Sequence, residues 1–374
     1  MTNHLNSLWR RGAHFLGCQY AIMGGAMSWV SERNLVAALS NAGAFGVIAC
    51  SSMSPELLDK EITETKKLLT SPSPGRGEGR GGGDKGNITR EAPSLTLPPA
   101  GGGDKVPFGV NLIIMHPQMD ALIEVCKKHN VSHVVLAGGI PKDGWIKAIK
   151  AYGAKVLCFA PSAIIGRKLV RLGADALVIE GMEAGGHIGP VSTSVLAQEI
   201  LPHMKDVPVF IAGGIGRGEA IAAYLEMGAS GVQLGTRFVC ATECIAHPNF
   251  KECFIRSQSR DAIPSVQIDP DFPVIPVRAI ANKATDAFTR MQHEVIAEFK
   301  SGKLDKKEAQ LKIEHFWAGA LRKAVIDGDI EYGSVMAGQS VGMVSKIQPV
   351  KEILEELIGQ AEEYITGRNL IPKK

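Results

Sequence analysis

Between Tyr20 and Thr236 the chain alternates short apolar runs with amphipathic stretches. The runs read YAIMGG from Tyr20, FGVIAC from Phe45, PFGVNLII from Pro107, HVVLAG from His133, KVLCFA from Lys155, ALVIEG from Ala176, PVFIAGG from Pro208 and GVQLGT from Gly231. Each is of strand length and close to continuously apolar, so each predicts a strand covered on both faces, as a parallel sheet requires. Helical patterns such as RNLVAALSNAG, QMDALIEVCKKH and GEAIAAYLEMG separate them. Strand-then-helix units repeated eight times predict an α/β fold of the closed (β/α)8 TIM-barrel kind, because an open doubly wound sheet usually stops at about six strands.

Two segments break this rhythm and divide the chain. Residues 71–105, SPSPGRGEGRGGGDKGNITREAPSLTLPPAGGGDK, are rich in Gly, Pro and charge and carry GGGDK twice. Such a stretch cannot bury enough apolar surface to order itself. It falls where a helix-to-strand connection normally needs about two to six residues. It is expected to be a disordered insertion without a catalytic part, a lid being the alternative, within a barrel spanning residues 20–260. Beyond Asp261 the alternation stops: SVQIDPDFPVIPVRAI reads as an extended crossing, and TDAFTRMQHEVIAEF and AQLKIEHFWAGALRKAVI read as helices. Residues 261–330 are therefore expected to form a small helical cap over the barrel mouth. A glycine turn, GSVMAGQSVGMVSK, and a helical pattern, VKEILEELIGQAEEYI, make residues 331–374 a segment that returns to the barrel.

Composition narrows the class. A chain of 374 residues that is 45% hydrophobic can bury a large core. Its formal charge of +3 is too balanced to imply nucleic acid or an anionic membrane as partner. No apolar run reaches the ~18 residues of a membrane span, and the N-terminal MTNHLNSLWRRGAHFLG lacks the apolar core of a signal peptide. The seven cysteines (Cys18, Cys50, Cys126, Cys158, Cys240, Cys244 and Cys253) are scattered and odd in number, the pattern of reduced thiols in a cytoplasmic protein. Cys240 and Cys244 with His247 lack a fourth ligand, so core thiols are expected there and no metal site.

In a barrel of this kind the chemistry collects at the C-terminal ends of the strands. Those ends are glycine-rich: Gly24-Gly25, Gly138-Gly139, Gly181, Gly185-Gly186, Gly213-Gly214 and Gly235. Glycines make tight turns, and they also bare backbone N–H groups to an anion. At the seventh and eighth strands, AGGIGRGEA and GTRF read as a phosphate cradle with Thr236 as a hydroxyl donor. The sharpest local feature is EGMEAGGHIGP, Glu180 to Pro190, which closes the sixth strand. Glycines on both sides of its one histidine let backbone wrap a flat ligand. Imidazole titrates near neutral pH, which makes His187 the candidate acid/base.

EGMEAGGHIG, together with NLIIMHP, IAGGIGRGEA, VQLGTRF and GSVMAGQSVG, resembles the nitronate monooxygenase (2-nitropropane dioxygenase) family, which also contains the flavin-dependent type II enoyl-acyl-carrier-protein reductases. The resemblance runs from about Tyr20 to Ile358 and is interrupted by the insertion. It implies an FMN-binding barrel in which His187 is catalytic. It further implies that FMN is held by Gly25 and Met27 after the first strand, by Asn111 in VNL and by Gly185 in the histidine motif. Gly213, Gly214, Gln233, Gly235 and Thr236 would cradle its ribityl and phosphate. The pattern departs at Gly24, where many relatives carry glutamine. It departs also at His116 in IMHP, where the reductase branch has a smaller residue, and His116 is thereby a candidate substrate contact.

The resemblance implies an FMN-dependent oxidoreductase, with nitronate monooxygenase-like chemistry placed first: alkyl nitronates oxidised with O2, His187 binding the nitro group or taking a proton. The alternative is an NAD(P)H-dependent enoyl-acyl-carrier-protein reductase, in which hydride passes from FMN N5 to an enoyl thioester and His187 protonates the α-carbon. A flavin-binding protein without turnover is a third reading, opposed by the intact AGGH motif. Lys300, Lys303, Lys306 and Lys307 in the cap read as a solvated helix face or, for the reductase, as a dock for an acidic acyl carrier protein.

Overall fold

The computed structural model describes residues 3–51, 53–69 and 106–369, so the insertion at 71–105 lies outside the described residues. The elements run in chain order α1 (Asn3–Leu16), β1 (Ile22–Gly24), α2 (Arg33–Asn41), β2 (Val47–Ala49), α3 (Pro55–Leu68), β3 (Gly109–Ile113), α4 (Met119–Lys128), β4 (His133–Ala137) and α5 (Asp143–Ala151). They continue with β5 (Lys155–Phe159), α6 (Ala163–Arg171), β6 (Ala176–Glu180), β7 (Gly186–His187), α7 (Thr193–Ile200), β8 (Val209–Ala212), α8 (Gly218–Glu226) and β9 (Gly231–Leu234). The last are α9 (Thr236–Val239), α10 (Pro248–Arg256), β10 (Ala262–Pro264), β11 (Val277–Ile280), α11 (Lys283–Lys300), α12 (Lys306–Val325), β12 (Val335–Met336) and α13 (Val350–Asn369).

Eight of the strands form one parallel sheet in the order β1-β9-β8-β6-β5-β4-β3-β2. A parallel bridge between Met23 and Phe45 joins its two edges. There Phe45 N donates to Ile22 O at 2.9 Å and Gly24 N to Phe45 O at 2.8 Å. The apolar runs are these strands, and the fold is the expected (β/α)8 barrel. Alternation inside each run decides direction even though both faces are apolar. Val135, Leu157, Val178 and Phe210 fill the barrel interior, while Val134, Val156, Leu177 and Ile211 pack outward against the helices.

The first helix is an element that the strand pattern does not reveal. α1 buries Leu5 and Trp9 in the main core and sets Phe15 and Leu16 into the N-terminal end of the barrel. The Phe15 carbonyl accepts from His133 Nε2 at 2.9 Å and also from Lys155 Nζ. Burial pushes the His133 pKa down to about 4, so the ring stays neutral in this apolar floor. Trp9 is 2% exposed, and Trp9→Ala should cost about 3–5 kcal/mol. A urea titration reads this as a lower midpoint; an unchanged midpoint would mean that α1 is not part of the cooperative unit.

Beyond β9 the chain supplies α9 and α10, leaves the barrel, and ends with α13, which lies against α8 and α2 and completes the outer ring of helices. The excursion between them is built on β10, β11 and β12, an antiparallel sheet. Next to it α11 and α12 pack around Phe272, Phe288, Val295, Ile313 and Trp317, with the Phe288 and Trp317 rings 4.1 Å apart. Asp305 starts α12 by a reciprocal cap: Glu308 N donates to its carboxylate, and Asp305 N donates back to the Glu308 carboxylate, each at 2.8 Å. The stretch that reads as an extended crossing follows β10 and ends in β11. β11 also pairs antiparallel with β7, Val277 opposite His187 and Arg278 opposite Gly186. The loop carrying the histidine is thus a strand of the cap's sheet.

Candidate active site

The inward positions at the C-terminal strand ends define the mouth. On β6 the alternation that turns Ala176 and Val178 inward does the same for Glu180. Glu180 is in register with Ala212 of β8, and Ala212 with Gln233 of β9. Asn111 holds the equivalent place on β3, where its Nδ2 donates to Val135 O at 3.3 Å. Within the described residues the Gln233 side chain and the Glu180 carboxyl have no hydrogen-bond partner. Burial pushes Glu180 up to about 7, and the charge of nearby His187 opposes that shift.

The strand-end glycines draw three segments together. Gly213 and Gly214 follow β8 at φ +93° and +73°, a region in which side chains are strained. The turn they make leaves the N–H groups of Gly214, Ile215 and Gly216 without an acceptor among the described residues. After β9, Gly235 lies beneath the Met27 side chain, and Gly25 N donates to Leu234 O at 2.8 Å. Thr236 Oγ1 accepts from Gly338 N at 2.9 Å, and its own O–H has no acceptor among the described residues. Gln339 N donates to the Glu183 carbonyl at 2.9 Å, while the Glu183 carboxylate receives Thr193 N and Oγ1, both at 2.9 Å. The turn at 338–339 therefore locks the histidine loop to the loop after β9. Unpaired amides beside a hydroxyl donor, with unpaired Gln233 on the adjoining wall, suit a planar cofactor carrying a phosphate.

His187 itself projects from β7 with its side chain 43% exposed. Its Nε2 stands 3.3 Å from Glu314 Oε1 on α12. Behind it, buried Arg278 of β11 donates from Nε to Met182 O at 2.9 Å and from Nη1 to Ala262 O, tying the loop to the cap sheet. Thus Gly25, Met27, Gln233, Gly235 and Thr236 converge on one side, Gly185 joins them through the 338–339 turn, and Asn111 lies on the β3 wall. His116 is set apart. It sits on the β3–α4 connection with Nδ1 accepting from Gln118 N at 3.1 Å, and burial lowers its pKa against the pull of the Met53 backbone. No contact in the described residues ties it to His187. Position 24 faces Leu39 of α2 rather than the mouth, so a side chain at this departure from the family pattern would not reach a ligand there.

Sequence reasoning missed Glu314, Arg278 and the inward role of Glu180. Arg278 did leave a signal, a charge inside the otherwise apolar VIPVRAI. The Cys240 and Cys244 thiols lie in the core, burial pushing Cys240 up to about 12 and Cys244 upward as well. Nearby His247 uses Nδ1 to accept from Asn249 N at the start of α10. Among the described residues no group of three or more His, Cys, Asp or Glu side chains could hold a metal ion, and no helix is long and apolar enough to cross a membrane.

A closed barrel whose mouth joins a row of unpaired amides to an imidazole, beside helices that supply the imidazole's partner, defines the site of a barrel enzyme. The family described as nitronate monooxygenase matches residues 11–74 and 104–360, and the chain belongs to that family. It is therefore an enzyme, an oxidoreductase of a family of flavin enzymes. Among curated relatives, a (3aS,4S,5R,7aS)-5-hydroxy-7a-methyl-1-oxo-octahydro-1H-indene-4-carboxyl-CoA dehydrogenase of Rhodococcus jostii is 26% identical over 377 residues, covering 94% of this chain and 95% of that protein. A "Probable nitronate monooxygenase" of Staphylococcus saprophyticus is 26% identical, covering 94% and 97%. Among solved structures, FabK from Thermotoga maritima superposes with a TM-score of 0.77 at 32% identity, covering 96% of this chain and 98% of that one. The nitroalkane oxidase of Streptomyces ansochromogenes, at 22% identity and a TM-score of 0.70, shares the fold.

Proposed function

We propose that this enzyme is an FMN-dependent reductase of enoyl thioesters that draws its electrons from NAD(P)H, and that nitronate oxidation is the second reading. The observation that carries this order is the Glu314 carboxylate 3.3 Å from His187 Nε2. An anionic nitronate brought to the imidazole meets that carboxylate as a like charge. At ~4 Å the repulsion is about 1 kcal/mol in water and about 4 kcal/mol in a partly screened site; the exposure of both groups favours the lower figure. A neutral enoyl thioester meets no such penalty. His116, its pKa lowered by burial, adds no cation to attract a nitronate. The relatives named for a carboxyl-CoA substrate and FabK, an enoyl-ACP reductase, support the same order. The family description and the Staphylococcus relative support the second reading.

In this reading bound FMN would supply hydride chemistry, taking a hydride from the nicotinamide for the β-carbon of the substrate. The chain's residues do the rest. The amides of Gly214, Ile215 and Gly216 with Thr236 Oγ1 would bind its phosphate; Gly213 supplies the turn and Gln233 meets the ribityl. Gly25, Met27, Asn111, Gly185 and Gly235 would line the ring site. His187 gives its proton to the α-carbon. Exposed Lys303, Lys306 and Lys307 at the tip of the cap, with Lys300 held by Asp269, would meet an acyl carrier protein if the thioester arrives on one.

Anaerobic stopped-flow with NADH, NADPH and propyl-2-nitronate separates the readings. The expected result is fast bleaching by a nicotinamide, followed by anaerobic recolouring with a short enoyl thioester. Bleaching by nitronate alone would establish the second reading. Glu314→Gln should lower thioester turnover only about two- to five-fold, since an exposed pair is worth roughly 0.2–1 kcal/mol, and should raise any nitronate turnover. A fall in both activities would remove the charge argument.

A further inference from the structure

The amides and the hydroxyl assigned to the flavin phosphate stand on two separate segments. Gly214, Ile215 and Gly216 run into α8, whose first residue is Gly218, and Thr236 opens α9. Helix α13 reaches both. Gly218 N donates to Gln360 Oε1 at 2.9 Å, across 142 positions of chain. One turn back along the same face of α13, Glu356 Oε1 accepts from Gln360 Nε2 at 3.3 Å. The other carboxylate oxygen, Oε2, lies 2.7 Å from Nη2 of Arg237, the residue after Thr236, and accepts from Gln348 Nε2 at 3.0 Å. An unbroken row of polar contacts therefore runs from the α8 side of the cradle, through α13, to the α9 side. A Cβ on Gly218 would collide with the Leu357 carbonyl and the Ala361 amide, so the start of α8 is seated directly on α13.

The row has a fixed polarity. Donors arrive at position 356 from both ends, an amide from Gln360 and a guanidinium from Arg237, so the residue there must accept on both sides. A carboxylate does so. A carboxamide of the same size would turn an N–H toward one of the two donors, and Gln360 could turn over to meet it only by losing the Gly218 amide. Arg237 requires the acceptor: its side chain is 2% exposed, and its Nε and Nη1 have no hydrogen-bond partner among the described residues. A buried charge left without its partner is strongly destabilising. Resting on the reading of this cradle as the phosphate site of FMN, we propose that Glu356 and Gln360 are positioning residues for the cofactor phosphate. From α13 they hold the Gly214, Ile215 and Gly216 amides and Thr236 at the mutual placement that the phosphate requires. Neither side chain touches the flavin; each acts through the segment it holds.

The test compares FMN with riboflavin, the same flavin without its phosphate, and needs no substrate. Full-length protein is stripped of flavin and titrated with each, binding being read from the flavin fluorescence. Wild type is expected to hold FMN much more tightly than riboflavin. Gln360→Met removes the link to Gly218 while leaving the Arg237–Glu356 pair and the length of the side chain. It should weaken FMN by ~10-fold, about what one hydrogen bond in a charged row is worth, and leave riboflavin binding unchanged. Glu356→Gln should lower FMN affinity at least as far; should it fail to fold because it strands Arg237, Gln360→Met still decides. An unchanged FMN affinity in Gln360→Met would overturn the proposal. So would an equal loss of FMN and riboflavin, which is what a barrel weakened in general would give. If wild type itself holds FMN no more tightly than riboflavin, the cradle is not a phosphate site, and that reading falls together with this one. A preference for FMN that wild type shows and Gln360→Met keeps removes the role of α13 alone.

Discussion

Replacing His187 with alanine is expected to leave a folded, flavin-coloured protein whose turnover falls by ~100-fold or more. The separation follows from how the residue is held. Its backbone pairs with Val277 in the cap sheet and does not need the side chain. The side chain is 43% exposed and, among the described residues, makes one hydrogen bond, to Glu314; an exposed pair of that kind is worth about 0.2–1 kcal/mol. None of the groups assigned to the flavin depends on the imidazole. The measurement is turnover and flavin content on one preparation of His187→Ala, with His187→Gln beside it to keep a hydrogen-bonding side chain that cannot donate as an acid. Full activity in either variant would remove His187 from proton transfer. Loss of colour in both would turn it into a binding residue.

The second large effect is expected at Gly185. A Cβ built on it would lie 2.6 Å from both the Ala337 carbonyl carbon and Gly338 N, closer than any real contact, and both are main-chain atoms with little room to retreat. The bonds from Gly338 N to Thr236 Oγ1 and from Gln339 N to Glu183 O cross this same junction. Gly185→Ala should therefore cost about 1–3 kcal/mol or more and open the flavin site at the same time. The purified variant is expected to hold a small fraction of the wild-type flavin and to unfold at lower denaturant. Normal flavin content with a normal midpoint would show that the 338–339 turn gives way freely and does not clamp the loop.

The barrel was legible because every strand is apolar on both faces and every connection is helical, so counting units sufficed. Direction along each run was legible too once one inward residue was fixed, which is how Glu180 could have been placed. α1 was not, since its amphipathic pattern precedes the first strand and only tertiary contact shows that Phe15 and Leu16 enter the barrel floor. The pairing of β7 with β11 left no trace in the sequence. A two-residue strand has no periodicity, and its partner lies about ninety positions away, a separation at which local propensity says nothing. His187 was legible from its glycine frame. Glu314 was not, because the docking of a helix, rather than any pattern within it, brings that carboxylate to the imidazole.

That short pairing also bears on whether the cap could be exchanged as a module. The cap is an insertion between the eighth strand and the eighth helix, which looks like a module that recombination could replace whole. Yet Val277 and Arg278 inside the cap are hydrogen-bonded to Gly186 and His187, encoded far upstream, and Ile188 N donates to Pro276 O at 2.9 Å. A chimera that imports a foreign cap alone would put a mismatched strand against the histidine and displace it. Grafts that carry residues 182–190 along with the cap should keep their activity, because both strands of the β7–β11 pair then come from one parent.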